Sequence, residues 1–323
     1  MDLEQTAIAR LRTAAHMSEK VYHKPLLVTT SGGKDSSVCV ALAERAEIEF
    51  EVMHNHTTAD APETVYFIRG EFKRLEAKGI KCAVNWPTYK GVPTTMWKLI
   101  PMKLMPPTRL ARYCCAVFKE QGGQGRFITT GVRWAESEGR KNNRGIYESV
   151  PSNVKKKIIL NNDNDDTRQL FESCSLKAKR ACNPIVDWTD ADVWSYIRAE
   201  GIPVNPLYSC GFSLVGCVGC PMASKVRWRE FARYPKYRLM YVRAFDAMIA
   251  ERTRRGLSCA WKTGEDVFHW WMEDGVLPDQ IGMDEWMREG AMPDDAAAHE
   301  PEKIAETPPP IMAVEPAKEE DAA

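Results

Sequence analysis

Apolar residues recur along this chain in two alternating rhythms, one helical and one strand-like. Leu3, Ile8, Leu11 and Ala14 fall at roughly helical spacing and predict a helix over residues 2–20. Pro25–Thr30 is a short apolar run that reads as a buried strand, and Val38, Ala41 and Leu42 then begin an amphipathic helix. Ile48–Met53 alternates strictly, as a second strand would. Pro62 to about Lys78 suits a crossover helix, with proline in its first turn and Gly79 just past its end. Ile80–Asn85 reads as a third strand and Arg126–Gly131 as a fourth.

Between the last two strands, Pro87–Pro107 has little period and is expected to be an ordered loop with a short helix near Met96–Ile100. A helix is expected at Ala116–Glu120. Residues 151–181 are polar, with one apolar knot at Ile158–Leu160, and predict a strand flanked by mobile loops. Thr189 is a suitable N-cap for a helix Asp190–Glu200, which Gly201 and Pro203 would end. Val226–Trp271 reads as helical, with Trp270 and Trp271 as buried aromatics. Strands alternating with helices predict an α/β fold with a largely parallel sheet flanked by helices, followed by a mostly helical C-terminal portion. The expected division is a domain over 1–225, a helical extension over 226–290 packed on it, and a tail over 291–323.

Composition changes this picture in two places. The 44 basic and 44 acidic residues cancel overall. Residues 291–323, however, carry nine acids against two bases, so residues 1–290 carry a net +7. The tail is rich in Ala and Pro, lacks periodic apolar positions, and is expected to be disordered. The basic remainder suits nucleotide phosphates and leaves nucleic acid open as a partner. No apolar run is long enough to span a membrane, and the first residues resemble no signal peptide. Ten cysteines in that context point to a reducing, cytoplasmic setting, where metal binding or chemistry outranks disulfides.

The chemistry is concentrated in a few stretches. Ser31, Gly32, Gly33, Lys34, Asp35 and Ser36 link the first strand to its helix. Glycines there let backbone approach a ligand, the helix start offers N–H donors to an anion, and Lys34 adds a phosphate counter-charge. The spacing is neither the Walker loop nor the dinucleotide fingerprint. It resembles the pyrophosphate loop of the adenine-nucleotide alpha-hydrolase superfamily. At the end of the second strand, Thr57, Thr58 and Asp60 are candidates to contact adenosine or an incoming substrate, since parallel sheets bind ligands at that end. His54 and His56 read more readily as a polar strand end than as a metal site. After the fourth strand, Gly131, Arg133, Glu136, Ser137 and Arg140 gather groups that grip phosphate, sulfate or carboxylate, or that form a solvated polar loop. Cys210, Cys217 and Cys220, the last two in a Cys-x-x-Cys-Pro run, suit a metal or cluster knuckle.

Five motifs occur in order: Ser31–Ser36; Arg112-Tyr-Cys-Cys115 with Lys119 and Glu120; Gly131 to Arg140; Asn183-Pro-Ile-x-Asp-Trp188; and Gly216-Cys-x2-Cys220-Pro221. Over residues 20–225 the chain resembles the phosphoadenosine phosphosulfate (PAPS) reductase family in its broad sense. That resemblance implies a Rossmann-like sheet with an adenine nucleotide on the loop. It also implies a [4Fe–4S] cluster on Cys114, Cys115, Cys217 and Cys220, similar to the adenylylsulfate-reducing branch, with Cys210 as a substitute ligand and zinc as the alternative metal.

Two departures bear on activity. The reductases carry a nucleophilic cysteine in a C-terminal Glu-Cys-Gly-Leu-His tail, whereas the last cysteine here is Cys259. They also usually lack the full loop that this chain keeps. Both features favour an ATP-cleaving relative, similar to the ATP pyrophosphatases that activate nucleic acid for sulfur insertion. In that reading Ser31–Ser36 hold the β,γ-phosphates with Mg²⁺, Lys34 neutralises leaving-group charge, Asp35 orients the loop or the metal, and Arg133 and Arg140 grip the α-phosphate or the acceptor. The acceptor would be a nucleic acid or a small molecule, with a sulfur or electron donor protein as a further partner. The alternatives are a sulfonucleotide reductase using Cys174, Cys210 or Cys259, and a non-catalytic nucleotide- or nucleic-acid-binding module.

Overall fold

The computed structural model describes residues 2–150, 158–161, 179–223 and 225–273, all within the compact unit Met1–Leu277. Cys174, the lysine triplet at 155–157 and the expected acidic tail lie outside the described residues.

Helix α1 (Leu3–Tyr22) starts at Asp2, whose carboxylate accepts from the backbone N–H groups of Glu4 and Gln5, and it buries Ala7, Ile8, Leu11, Ala14 and Met17. Strand β1 (Leu26–Thr30) leads into α2 (Lys34–Arg45), then β2 (Phe50–Asn55), α3 (Pro62–Glu76) and β3 (Cys82–Asn85). A hairpin of β4 (Thr88–Tyr89) and β5 (Val92–Pro93) precedes α4 (Met96–Lys103) and the short α5 (Tyr113–Cys115), which continues as a π turn over Ala116–Glu120. Then come β6 (Phe127–Thr129), α6 (Glu138–Asn143), β7 (Tyr147–Val150), β8 (Ile158–Leu160), β9 (Lys179–Cys182) and α7 (Asp190–Glu200). Thr189 caps α7 in a reciprocal pair with Asp192, and Gly201 ends it in the left-handed region.

The seven-stranded sheet has the order β3-β2-β1-β6-β9-β7-β8. The first five strands of that order are parallel, while β7 runs antiparallel to both β9 and β8. The chain winds outward from β1 to β3 and then returns to β6 on the other side of β1. Such a reversal opens a crevice at the strands' carboxyl ends, between the exits of β1 and β6.

Several elements depart from the sequence reading. Strand β2 runs two residues later than Ile48–Met53, because Leu26 pairs with Phe50. The expected loop after Pro87 holds the β4–β5 hairpin, whose two turn residues, Lys90 (φ 53°) and Gly91 (φ 76°), take the positive φ values of a type I′ turn. Strands β7 and β9 and helix α6 were not expected. Strand β7 buries Glu148 and Ser149, and β9 buries Arg180, so an apolar period is missing from both. Glu148 is satisfied where it sits: Oε1 accepts from Arg144 Nε at 2.7 Å and Asn183 Nδ2 at 2.8 Å.

One hydrophobic core lies among the sheet, α1, α2, α3 and α7. A second gathers α4, the segment around Leu207–Val218, and three C-terminal helices: α8 (Val226–Arg233), α9 (Pro235–Arg254) and α10 (Gly264–Glu273). Trp271 is buried and donates from Nε1 to the Pro107 carbonyl at 2.6 Å. Trp270, expected to be buried as well, is only half-buried beside Trp261, because helical geometry turns the neighbouring residue away from the core.

Candidate functional site

The loop between β1 and α2 is shaped by its glycines and closed by a serine. Gly32 has φ +74°, and a Cβ there would come within 3.0 Å of Thr64 Cγ2 on α3. Ser36 Oγ donates to the Gly33 carbonyl at 2.8 Å and accepts from Ser31 N at 3.2 Å. Gly33 caps α2 without a side chain, which leaves first-turn N–H donors for other acceptors. The Tyr208 hydroxyl takes that of Lys34 at 2.9 Å.

Four charges meet at this helix start. Lys34 is 3% exposed, and its Nζ lies 3.0 Å from both Asp35 Oδ2 and Asp190 Oδ1. Arg133 donates from Nε to Asp35 Oδ1 at 2.6 Å, from Nη2 to Asp190 Oδ1 at 2.9 Å and from Nη1 to the Trp188 carbonyl at 3.3 Å. Partial burial pushes the Asp190 carboxyl up, but the Lys34 and Arg133 hydrogen bonds outweigh it and hold it below the usual range. Sequence reading missed Asp190. The available signal was its place as first residue of α7, directly after the Asp187-Trp188-Thr189 motif. The sequence reading gives Arg133 as a grip for the α-phosphate or the acceptor. It is 3% exposed, and Nε, Nη1 and Nη2 all bond to protein groups, which makes it the residue that holds Asp35.

Gly131 has a steric reason for its identity. A Cβ there would sit 2.8 Å from the Asp35 carbonyl carbon and 2.9 Å from Ser36 N, both backbone atoms. Gly131→Ala must therefore push the β6 exit off the loop, and overpacking of this kind costs about 1–3 kcal/mol. Thermal denaturation should show the loss. An unchanged melting temperature would mean that the close approach does not exist.

Arg140 is the more exposed arginine, with 43% of its side chain accessible and a pairing to Glu136. Burial of its remainder, together with the nearby positive charges of Arg144, Arg112 and Arg133, pulls its pKa below the guanidinium norm. Arg112 in turn donates to Cys115 Sγ at 3.4 Å, so the arginine wall adjoins the cysteines.

Cys114, Cys115, Cys217 and Cys220 line one half-open cavity with Lys119 and Tyr241, enclosing about 340 Å³ of empty space with the solvent-open part included. Cys210 is outside that lining, in the turn after Pro206–Tyr208. A hydrogen bond from Cys114, with help from Arg112 and Lys119, lowers the Cys115 pKa, whereas burial pushes Cys217 up to about 11. Among the described residues, no three cysteine sulfurs lie within 4.8 Å of one another. Tetrahedral zinc with bonds of about 2.3 Å would draw its sulfurs to about 3.8 Å apart. A cubane cluster binds each thiolate at a separate iron, and the four thiols that line this cavity are a donor set for either metal.

Other cysteines are differently placed. Cys39 and Cys182 are fully buried. Burial raises the Cys39 pKa well above normal and that of Cys82 to about 11.

At the β2 exit, the residues expected to face a ligand turn inward. Thr57 and Asp60 are 3% and 6% exposed, and Thr57 donates to the Asp60 carboxylate from both N (2.8 Å) and Oγ1 (2.7 Å). Thr58 Oγ1 accepts from Met96 N at 2.8 Å. These bonds tie the chain turn together. His54 and His56, expected to be a polar strand end, converge on Asp60. The same turn reaches the cysteines, because Asp60 bridges Cys217 and Val218 N donates to the Ala59 carbonyl at 2.8 Å. The Val215 carbonyl lies 3.9 Å from where a Gly33 Cβ would stand, so loop and cysteine segment adjoin.

The family model of the phosphoadenosine phosphosulfate reductase domain matches residues 25–223. An uncharacterized protein of Methanocaldococcus jannaschii is 28% identical over 195 residues, covering 60% of this chain and 40% of that protein. An adenosine 5'-phosphosulfate reductase of Burkholderia cepacia is 51% identical over 41 residues, 13% of this chain and 16% of that enzyme. The chain thus spans less than half the length of these curated relatives. Among solved structures, the PAPS reductase of Candida auris aligns with 59% of this chain and 80% of its own, at 16% identity and a TM-score of 0.37.

Proposed function

The chain belongs to the phosphoadenosine phosphosulfate reductase domain family, and within that family we propose that it cleaves ATP between the α- and β-phosphates to activate an acceptor for sulfur transfer. The observation that carries this reading is Lys34. It is a buried cation at the start of α2, in a complete glycine loop. A sulfonucleotide has no β,γ-pyrophosphate for such a loop to hold.

In this reaction an acceptor oxygen attacks the α-phosphorus, the bond to the bridging oxygen breaks, and pyrophosphate leaves from an adenylated intermediate. The first-turn N–H groups of α2 and the hydroxyls of Ser31 and Ser36 receive the β,γ-phosphates. Lys34 exchanges its contact with the exposed Asp190 for the leaving phosphate and neutralises its growing charge. Arg133 keeps Asp35 in place, and Arg140 meets the α-phosphate or the acceptor. Bound Mg²⁺ would neutralise pyrophosphate charge, with Asp35 and Asp190 as the carboxylates beside the loop. A [4Fe–4S] cluster would be held by Cys114, Cys115, Cys217 and Cys220 and would supply an iron site for sulfur or a tie between the two segments. The acceptor is a nucleic acid or a small molecule, served by a sulfur donor protein.

A second reading, sulfonucleotide reduction, is favoured by the 41-residue match to an adenosine 5'-phosphosulfate reductase. It requires an exposed thiolate of lowered pKa, a role left to Cys210 or Cys259 among the described cysteines outside the cavity. Anaerobic protein incubated with α-labelled ATP and candidate acceptors should give AMP and pyrophosphate. Sulfite release from PAPS or adenylylsulfate with a thioredoxin donor, faster than any ATP cleavage, would reverse the choice.

A further inference from the structure

The end of strand β2 and the residue just past it bring two imidazoles to one buried carboxylate. His54 and His56 are two residues apart along extended chain and so share a face. One ligand atom from each, with one from Asp60, lie within 4.8 Å of one another. His56 Nδ1 is 3.2 Å and His54 Nε2 3.8 Å from the same oxygen, Asp60 Oδ2.

The orientation of His54 follows from its partner. Its Nδ1 lies 2.9 Å from the Thr30 carbonyl oxygen, which can only accept, so Nδ1 carries a proton and Nε2 is the ring atom that faces Asp60. That Nε2 has no hydrogen-bond partner, on a side chain only 4% exposed. A buried ring nitrogen 3.8 Å from a carboxylate oxygen and without a hydrogen bond is unfavourable, and a cation held between the two would satisfy both.

We infer that His54 Nε2, His56 Nδ1 and Asp60 Oδ2 form a site for one divalent transition ion of the zinc class, separate from the cysteine site. Two imidazoles and a carboxylate are a donor set that suits zinc rather than magnesium or calcium. Ligands about 2.0–2.1 Å from a tetrahedral zinc stand about 3.3 Å apart, so the observed spacings need only small adjustment. The supporting bonds are already made. His54 Nδ1–H rests on the Thr30 carbonyl, and Thr57 Oγ1 fixes the other Asp60 oxygen at 2.7 Å. Three protein ligands leave a fourth position for water or substrate. His56 is partly exposed and stands edge-on to the exposed Trp86. The ion would join the residue before the nucleotide loop to the turn that bridges Cys217.

The test uses the full chain, purified anaerobically with its iron, exposed to a slight excess of zinc sulfate and desalted. About one zinc per chain should remain, and zinc-edge X-ray absorption should show nitrogen and oxygen neighbours at about 2.0–2.1 Å without sulfur at about 2.3 Å. His56→Gln, at a partly exposed position, should weaken zinc binding by more than about tenfold and leave the iron content unchanged. Three results would overturn the site: no retained zinc, a sulfur-only shell, or equal zinc in the variant. Neither readout depends on ATP turnover.

Discussion

Lys34→Ala is expected to lower ATP turnover by about 10²–10³-fold, the loss typical of removing one donor that acts on transition-state charge. The protein should stay folded. Asp35 keeps its 2.6 Å bond to Arg133, and Asp190, with 63% of its side chain exposed, remains in water. No buried charge is therefore left without a partner, which is the condition that makes such removals severe. Steady-state turnover with pyrophosphate detection, alongside thermal denaturation, separates the two effects. Unchanged turnover and ATP affinity in a folded variant would remove the loop from catalysis.

The second large effect belongs to the cysteine cavity. Anaerobic protein should be brown with about four irons per chain, and Cys217→Ser should lose nearly all of them, because each corner of a cubane needs its own thiolate. Cys210→Ser is the matched control. It removes a thiol from the same stretch but outside the cavity lining, and it should leave the iron unchanged. Iron loss in both variants would show that Cys210 ligates after all. A colourless protein with stoichiometric zinc on the cysteines would keep the site and reject the cluster.

What could be read before any coordinates were known was local. The loop Ser31–Ser36 announces itself because strand, turn and helix start are consecutive, and glycine and lysine have few other reasons to stand in that order. The parallel arrangement followed from strands alternating with helices. Asp190 was not legible as a partner of Lys34, since 156 positions separate them and only the return of the chain to the other side of β1 brings them together. Strand β9 hid for another reason. Arg180 lies fully buried in it, with its guanidinium over the Tyr22 ring at 5.8 Å, and a buried arginine in a sheet breaks the pattern on which strand reading depends. Asp60 was legible as chemically important, but the direction of its side chain was not. Sequence order puts it at a strand's carboxyl end, whereas its direction is set by Thr57 three residues earlier.

Tyr208 gives the loop a property that its own residues cannot. Its hydroxyl accepts the Lys34 N–H at 2.9 Å, and burial, reinforced by the nearby Asp35 and Asp190 charges, pushes its pKa up to about 12 despite that bond. The group is thus neutral at any physiological pH. A phenol both accepts and donates, so the same oxygen that steadies the backbone amide at rest can turn its proton toward an arriving phosphate. An uncharged hydrogen-bond partner thus helps to hold the curvature of the loop. The loop is a mould held in shape by an uncharged placeholder.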